Sequence, residues 1–464
     1  MKGLREQLAA QGVTSLLVQF TDIHGVARGK LVALAHLDDV LATGAGFSGP
    51  SIWGTGLPRT GPRSEYCARG IASTAQALPW MPGVARIVGA GFVAGEPFDA
   101  CPRQVLARQV ARLAARDWTL QVGIEPEFFL LRRESTPQGP RWLPADDRDR
   151  LDKPSYDLKS LARQAPLLLQ LQDALERCGL DVLQLDHEDA HGQYEVNFAH
   201  ADALTTADRV MLFKLAAHAI AESHGRVFSM MPKPFANQPG SGMHCHVSLW
   251  HGHGDNARNV FVARRADASL DPQALLSPTG RRFVAGVLAH AGALTALAAP
   301  TVNSYRRLTV GESITGTTWA PAYVAHGFNN RTALVRTLPG RFEWRAPDAA
   351  ANPYLLLAGL IAAGLHGIEA GLEPGPACED DLFALDLSQV RDRGIALLPQ
   401  SLGEAVDALE HDAVVGAALG ETLRREFCAL KREEAAAYAQ EAGAGASFAA
   451  QVSAWEFDRY VTAF

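Results

Sequence analysis

Four short stretches of the chain alternate apolar and polar residues with the period of a strand, and each carries charge on its polar side. In Gly123–Leu130, Glu125 and Glu127 stand two apart, so an extended backbone turns both carboxylates to one face ahead of Phe128, Phe129 and Leu130. Met243–Trp250 sends His244, His246 and Ser248 to one face, while Cys245, Val247 and Leu249 take the other. Arg341–Arg345 sets Glu343 between two arginines on one face. Asp186–Asn197 is acid-rich and turns back at Gly192. Elsewhere the period lengthens to that of a helix, over Val105–Trp118, Ser160–Arg177, Ala207–Ser223 and Ala349–Ala370, with Val284–Ala299 a further helix. Asp99 is placed to cap the first of these, with Pro102 in its first turn. Ahead of Gly95 the chain reads differently. Ser15–Thr21 and Ala85–Val93 are strand-like, His24-Gly25 marks a hairpin turn, and Gly44–Arg63 is a long Gly-, Pro- and Ser-rich loop of functional character. The expected class is α+β, with a small β-rich domain over residues 1–98 and a large one over 99–464.

Composition narrows the partners. With 464 residues, 47% of them hydrophobic, the chain can fill two cores, and a net charge of −7 disfavours non-specific nucleic-acid binding. The apolar run Tyr354–Ile368 is broken by Gly359, Gly364 and His366, so it reads as a buried helix rather than a membrane span. The charged start, Met1-Lys2-Gly3-Leu4-Arg5-Glu6, lacks the apolar core of a signal peptide. Six cysteines without CxxC spacing fit reduced thiols, and a cytoplasmic protein is expected.

The four charged stretches each have a plain alternative. The Glu125/Glu127 strand would be an exposed face balanced by Arg132 and Arg133, the His244/His246 pair a packing feature, Glu343 a rung of an ion-pair ladder, and Asp186–Asn197 a solvated loop. Taken together they supply several carboxylates and one or two imidazoles, an oxygen-dominated set suited to Mg²⁺ or Mn²⁺ rather than zinc. Arg307, Arg331 and Arg336 add guanidinium groups. Divalent cations plus arginines are what phosphoryl transfer requires. No Walker loop or kinase glycine loop is present.

In these motifs, in their order and over nearly the whole length, the chain resembles the glutamine synthetase superfamily. The resemblance implies that Glu127, Glu188 and Glu195 hold one cation and Glu125, His244 and Glu343 a second, nearer the phosphates of ATP. It implies that His246, Ser248, Arg336 and Arg341 meet the nucleotide, and that Arg307, Arg331, Arg345 and the Gly240 backbone meet glutamate. Arg331 and Arg336 would also steady the transferring phosphoryl group. The implied fold is an N-terminal β-grasp domain and a catalytic domain built as an incomplete antiparallel barrel flanked by helices. The implied assembly is a homo-oligomer, a dodecamer of two hexameric rings with active sites between neighbours.

Departures from the family pattern bear on the nucleophile. The family's ammonium-binding aspartate falls in a segment that reads Phe47-Ser48-Gly49-Pro50-Ser51 here, so Ser48 has replaced a negative charge. The nearest candidate for the family's flap glutamate is Glu312. Pro239 stands for an asparagine, Leu338 for a lysine, and Phe383 for the tyrosine that some bacterial members adenylylate, so that control is expected to be absent. These departures, with Asp186–Ala190 and Thr318–Pro321, resemble the type III or γ-glutamylmethylamide synthetase branch. Ser48, Trp53 and Trp319 are the expected walls of a neutral amine pocket. The expected activity is ATP-dependent ligation of glutamate to a small primary amine, methylamine first, through γ-glutamyl phosphate. Glutamine synthesis from ammonia, ligation of a longer polyamine, and a non-catalytic homologue are the alternatives.

Overall fold

The segment Ser15–Thr21 and the strand Ala27–Ala33 form an antiparallel hairpin. Its turn closes because the Asp22 carboxylate accepts from the backbone N–H of both His24 (3.0 Å) and Val26 (3.1 Å). The computed structural model describes residues 2–137, 139–263, 276–311, 320–442 and 451–464. Among them, the N-terminal sheet runs in the order Ala27–Ala33, Ser15–Thr21, Val84–Val93, Glu65–Gly70, Ala45–Ser48. The central pair, Ser15–Thr21 and Val84–Val93, is parallel. The segment expected to be one long loop thus contributes the strand Ala45–Ser48 and a short 3-10 turn, Gly49–Ser51.

The larger sheet sets Val182–His187, Gln193–Phe198, Trp118–Thr136, Met243–His251, Arg341–Trp344, Val335–Leu338 and His326–Phe328 side by side. Neighbours are antiparallel except the last pair. With helices packed outside, it is the incomplete barrel of the expected α+β class. The long strand Trp118–Thr136 changes partners in its middle. Residues 118–126 pair with Met243–His251, and residues 127–129 pair with Gln193–Glu195. Pro126, which has no N–H to donate, sits at the seam, and the Glu127 N–H goes to Gly242 O at 3.0 Å.

The apolar run at the end of the chain forms the buried helix Pro353–Glu369, capped by Asn352, whose side chain accepts from the N–H of Tyr354 and Leu355. The same Asn352 side chain donates to Asp22 O at 2.9 Å, so it joins the N-terminal hairpin to the central helix. Among the described residues no helix is long and apolar enough to cross a membrane. Two helical expectations need correction. The helix after Gly95 is Pro102–Ala114, with Cys101 rather than Asp99 at its N-cap and no side-chain cap bond; Trp118 already begins the long strand. The segment Val284–Ala299 belongs to two helices, Pro278–Ala289 and Ala291–Ala298, broken at His290, whose ring bonds Asp412 (2.6 Å) and His366 (2.9 Å).

Helices Pro278–Ala289 and Pro353–Glu369 cross at Gly286 and Gly367, where the backbones touch. A Cβ on Gly367 would meet Arg282 O at 2.0 Å, and one on Gly286 would meet Ala363 O at 2.0 Å. Backbone cannot yield as a side chain tip does. Gly367→Ala is expected to cost on the order of 3 kcal/mol, read as a clear fall in the thermal unfolding midpoint. An unchanged midpoint would show that the helices separate freely.

Candidate active site

Register alone builds one continuous row of charge across the larger sheet. Residues directly opposite on antiparallel strands share a face, as do residues two apart on one strand. Asp186 faces Glu195, Glu195 faces Glu127, and Glu127 shares its face with Glu125. Glu125 faces His244; His246, two residues on, faces Glu343, which faces Arg336. Six strands therefore present acid, imidazole and guanidinium to the same side, and the partner-switching seam of the long strand lies at the centre of the row.

That side opens into a cavity of about 980 Å³. Glu125, Glu127, Glu188, Glu195, His244, His246, Ser248, Gly240, Arg307, Arg331, Arg336, Arg341, Glu343 and Arg345 all line it. Ser48 does not. It stands exposed at the end of Ala45–Ser48, its hydroxyl accepting from Ser51 at 3.1 Å, and Trp53 nearby is 60% exposed. Glu312, Trp319 and Thr318 lie outside the described residues.

The acids are in an environment that opposes their charge. Burial raises the Glu127 carboxyl to about 7. Burial, then Glu127, Asp189 and Asp186, push Glu188 well above the usual carboxylate range; burial, then Glu127, Glu188 and Glu125, do the same to Glu195. Arg307 and Arg345 offset only part of the burial effect at Glu127, whereas at Glu343 the balance tips the other way. Burial would raise it as well, but the Arg345 guanidinium, with a hydrogen bond from Arg336, holds it well below the usual carboxylate range. Arg336 donates to Glu343 Oε2 at 2.9 Å, and Arg345 donates to Oε1.

Two groups of donor atoms gather closely enough to share a cation, each within 4.8 Å: Glu125, His246 and Glu343, and Asp186, Glu188 and Glu195. Both differ by one member from the sets implied by resemblance: Asp186 stands in place of Glu127, and His246 in place of His244. Glu127 Oε2 already accepts from the Gly242 N–H and from Gln193 Nε2, each at 2.8 Å. His246 Nδ1 accepts from Arg341 Nε at 3.3 Å, which leaves the proton of a neutral ring on Nε2, where it points to Glu125 at 3.1 Å. As placed, His246 is a donor toward that carboxylate. His244 differs: burial, then Arg345, keep its ring well below the ordinary value, hence neutral, and its Nδ1 lies 3.4 Å from Glu343 and 3.9 Å from Glu125. An uncharged imidazole facing two carboxylates suits a metal ligand. Asp186, Glu125, Glu127, Glu188, Glu195 and Glu343, all lining one cavity, make a donor set that fits oxygen-seeking divalent cations.

Beside these acids, Arg307 and Arg345 are buried, and Arg331 is exposed. Gly240 is pressed against Arg307: a Cβ there would lie 2.6 Å from Arg307 Cγ and 2.4 Å from Pro232 O. Gly242 is held just as tightly, since a Cβ would lie 2.8 Å from both Glu127 Oε1 and His244 Nε2. Ser248 Oγ accepts from Trp250 Nε1 at 3.0 Å.

Sequence reasoning left out several cavity residues. Asp186 stands two before Glu188 and opposite Glu195, a signal that pairing register makes visible only once the hairpin is known. Gln193, which holds Glu127, and Lys233, buried between two prolines, carry no periodic signal.

Comparison with known proteins agrees with this geometry. Residues 99–460 match the family model described as glutamine synthetase, catalytic domain. The chain is 44% identical over 453 residues to the glutamate–methylamine ligase of Methyloversatilis universalis, covering 97% of both chains. It is 37% identical over 425 residues to a glutamine synthetase of Rhizobium meliloti, covering 91% of this chain and 93% of that one. A solved GmaS/ADP complex superposes with a TM-score of 0.85 at 36% identity, covering 99% of both chains.

Proposed function

The chain belongs to the glutamine synthetase family and is an ATP-dependent ligase, and on that premise we propose that it joins the γ-carboxylate of glutamate to methylamine. The carrying observation is the charge row: carboxylates meeting arginines in one cavity. The 44% identity to a glutamate–methylamine ligase over nearly the full length supports the choice of amine.

In this reading Glu127, Glu188 and Glu195, with Asp186 beside them, would hold one Mg²⁺ or Mn²⁺, and Glu125, His244 and Glu343 a second. Such ions neutralise phosphate charge when bound. Arg336 and Arg341 receive the phosphates of ATP, and His246 and Ser248 meet the nucleotide. Arg307, Arg345 and the Gly240 backbone orient glutamate so that its γ-carboxylate attacks the terminal phosphate, giving γ-glutamyl phosphate and ADP. Arg331, exposed at the mouth, steadies the charge that develops. A deprotonated amine then displaces phosphate and leaves the amide. Glu312 is the candidate for drawing off the amine's proton. The exposed Ser48 and Trp53 suit a pocket completed by a neighbouring subunit, in a ring-shaped homo-oligomer built as two stacked hexamers. In this reading an N-terminal domain over residues 1–98 precedes a catalytic domain over 99–464.

The test is ATP turnover with glutamate against a panel of amines. One buried methyl contributes about 0.8 kcal/mol, so kcat/KM for methylamine should exceed that for ammonium by about fourfold or more. A preference for ammonium would make glutamine synthesis the better reading, and a preference for putrescine would point to a polyamine ligase.

A further inference from the structure

The helix Ala454–Tyr460 near the C-terminus does not line the cavity, but one of its side chains reaches the residues that do. Glu456 is fully buried. A capping box fixes its position: Ser453 donates to Glu456 Oε2 from its N–H (2.8 Å) and its hydroxyl (2.9 Å). The other carboxylate edge turns inward. Oε1 accepts from Asn303 Nδ2 at 2.8 Å and Arg306 Nε at 2.6 Å, and Oε2 accepts from Arg306 Nη2 at 2.8 Å. This is a bidentate, desolvated contact, the kind that fixes geometry as well as charge.

Asn303 passes the constraint on. Its Oδ1 accepts from the Lys233 N–H at 2.6 Å, and its Nδ2 donates to Lys233 O at 3.1 Å, so the amide grips the lysine's backbone on both sides. Lys233 lines the cavity and donates from Nζ to Gln238 O at 2.5 Å, just ahead of Pro239 and Gly240. Arg306 is followed in the chain by Arg307, a buried guanidinium of the cavity. One carboxylate therefore anchors the segments carrying Lys233 and Arg307.

We propose that Glu456 is a positioning residue for glutamate: acting through Asn303 and Arg306, it sets Lys233 and Arg307 for the substrate's carboxylates. The proposal rests on the reading that Arg307 receives glutamate. Glu456 touches no substrate itself, and its influence falls on one substrate rather than on the reaction as a whole.

The test uses the full-length enzyme and two variants. Glu456→Gln keeps the side chain's shape and removes its charge; Asn303→Ala cuts the link to Lys233 while leaving Arg306 and Glu456 paired. In steady-state ATP turnover with a saturating amine, both variants should raise the KM for glutamate by about tenfold, equivalent to ~1.4 kcal/mol. The KM for ATP should stay within about twofold and kcat at saturating glutamate within about threefold, a split that a merely loosened fold does not produce. An unchanged glutamate KM in both variants overturns the proposal, as does a fall in kcat with both KM values moving together. Failure of the ligase reading shows earlier and differently, as absence of glutamate-dependent turnover in the unsubstituted enzyme, and the positioning role falls with it.

Discussion

Glu127→Ala is expected to lower glutamate-dependent ATP turnover by about a thousandfold or more, a barrier increase of ~4 kcal/mol. Glu127 stands where the two halves of the charge row meet, opposite Glu195 and two residues from Glu125. Its carboxylate fixes the Gly242 N–H and Gln193, and it belongs to the acids proposed to hold the cation. Alanine leaves those two donors without their acceptor, at a cost of about 1–3 kcal/mol. It also removes a carboxylate that burial already penalises, so the fold should survive. Glu127→Gln serves as the control, because it keeps an acceptor for Gly242 and should lose turnover with little change in unfolding midpoint. Turnover above about a tenth of the starting value in both variants would remove Glu127 from the phosphoryl-transfer machinery.

Ser48→Asp is expected to shift the amine preference toward ammonium. A carboxylate beside the acyl phosphate helps ammonium twice, by attracting the cation and by taking a proton so that the lone pair can attack. An unlike pair at contact contributes about 1 to 4 kcal/mol depending on local dielectric. The ratio of kcat/KM for ammonium over methylamine should therefore rise by about tenfold up to several hundredfold. Methylamine is also a cation at neutral pH, so part of the attraction is shared and the gain sits at the lower end unless the added carboxylate crowds the methyl. Measuring both amines on both enzymes decides it. An unchanged ratio would mean that Ser48, which stands exposed at the end of its strand, does not reach the nucleophile in the assembled protein.

The charged strands were legible because a period of two is a strong signal when carboxylates, imidazoles and arginines occupy one phase and large apolar residues the other. Glu125, Glu127, His244, His246 and Glu343 do fall on one face, as their spacing required. The fold class and the family were legible for the same reason, through the order of those motifs. What escaped was of another kind. Cys101 caps its helix without a side-chain bond, so the polar Asp99 misled. The break at His290 comes from contacts with Asp412 and His366, more than 70 residues away in the chain. Lys233, Gln193 and Glu456 act through hydrogen bonds to residues far away in the chain, which leave no periodic trace.

The seam of the long strand has a consequence for how the enzyme comes into being. The charge row draws on strands scattered from position 118 to position 344, joined by pairings that no local segment can make alone. Such distant contacts form late, after the entropy of closing long loops has been overcome. A chain still emerging from the ribosome therefore carries only fragments of the site, each a few acids without the arginines that complete it. The last strands of the larger sheet to be made, Val335–Leu338 and Arg341–Trp344, are those that bring Arg336 and Glu343 to the row.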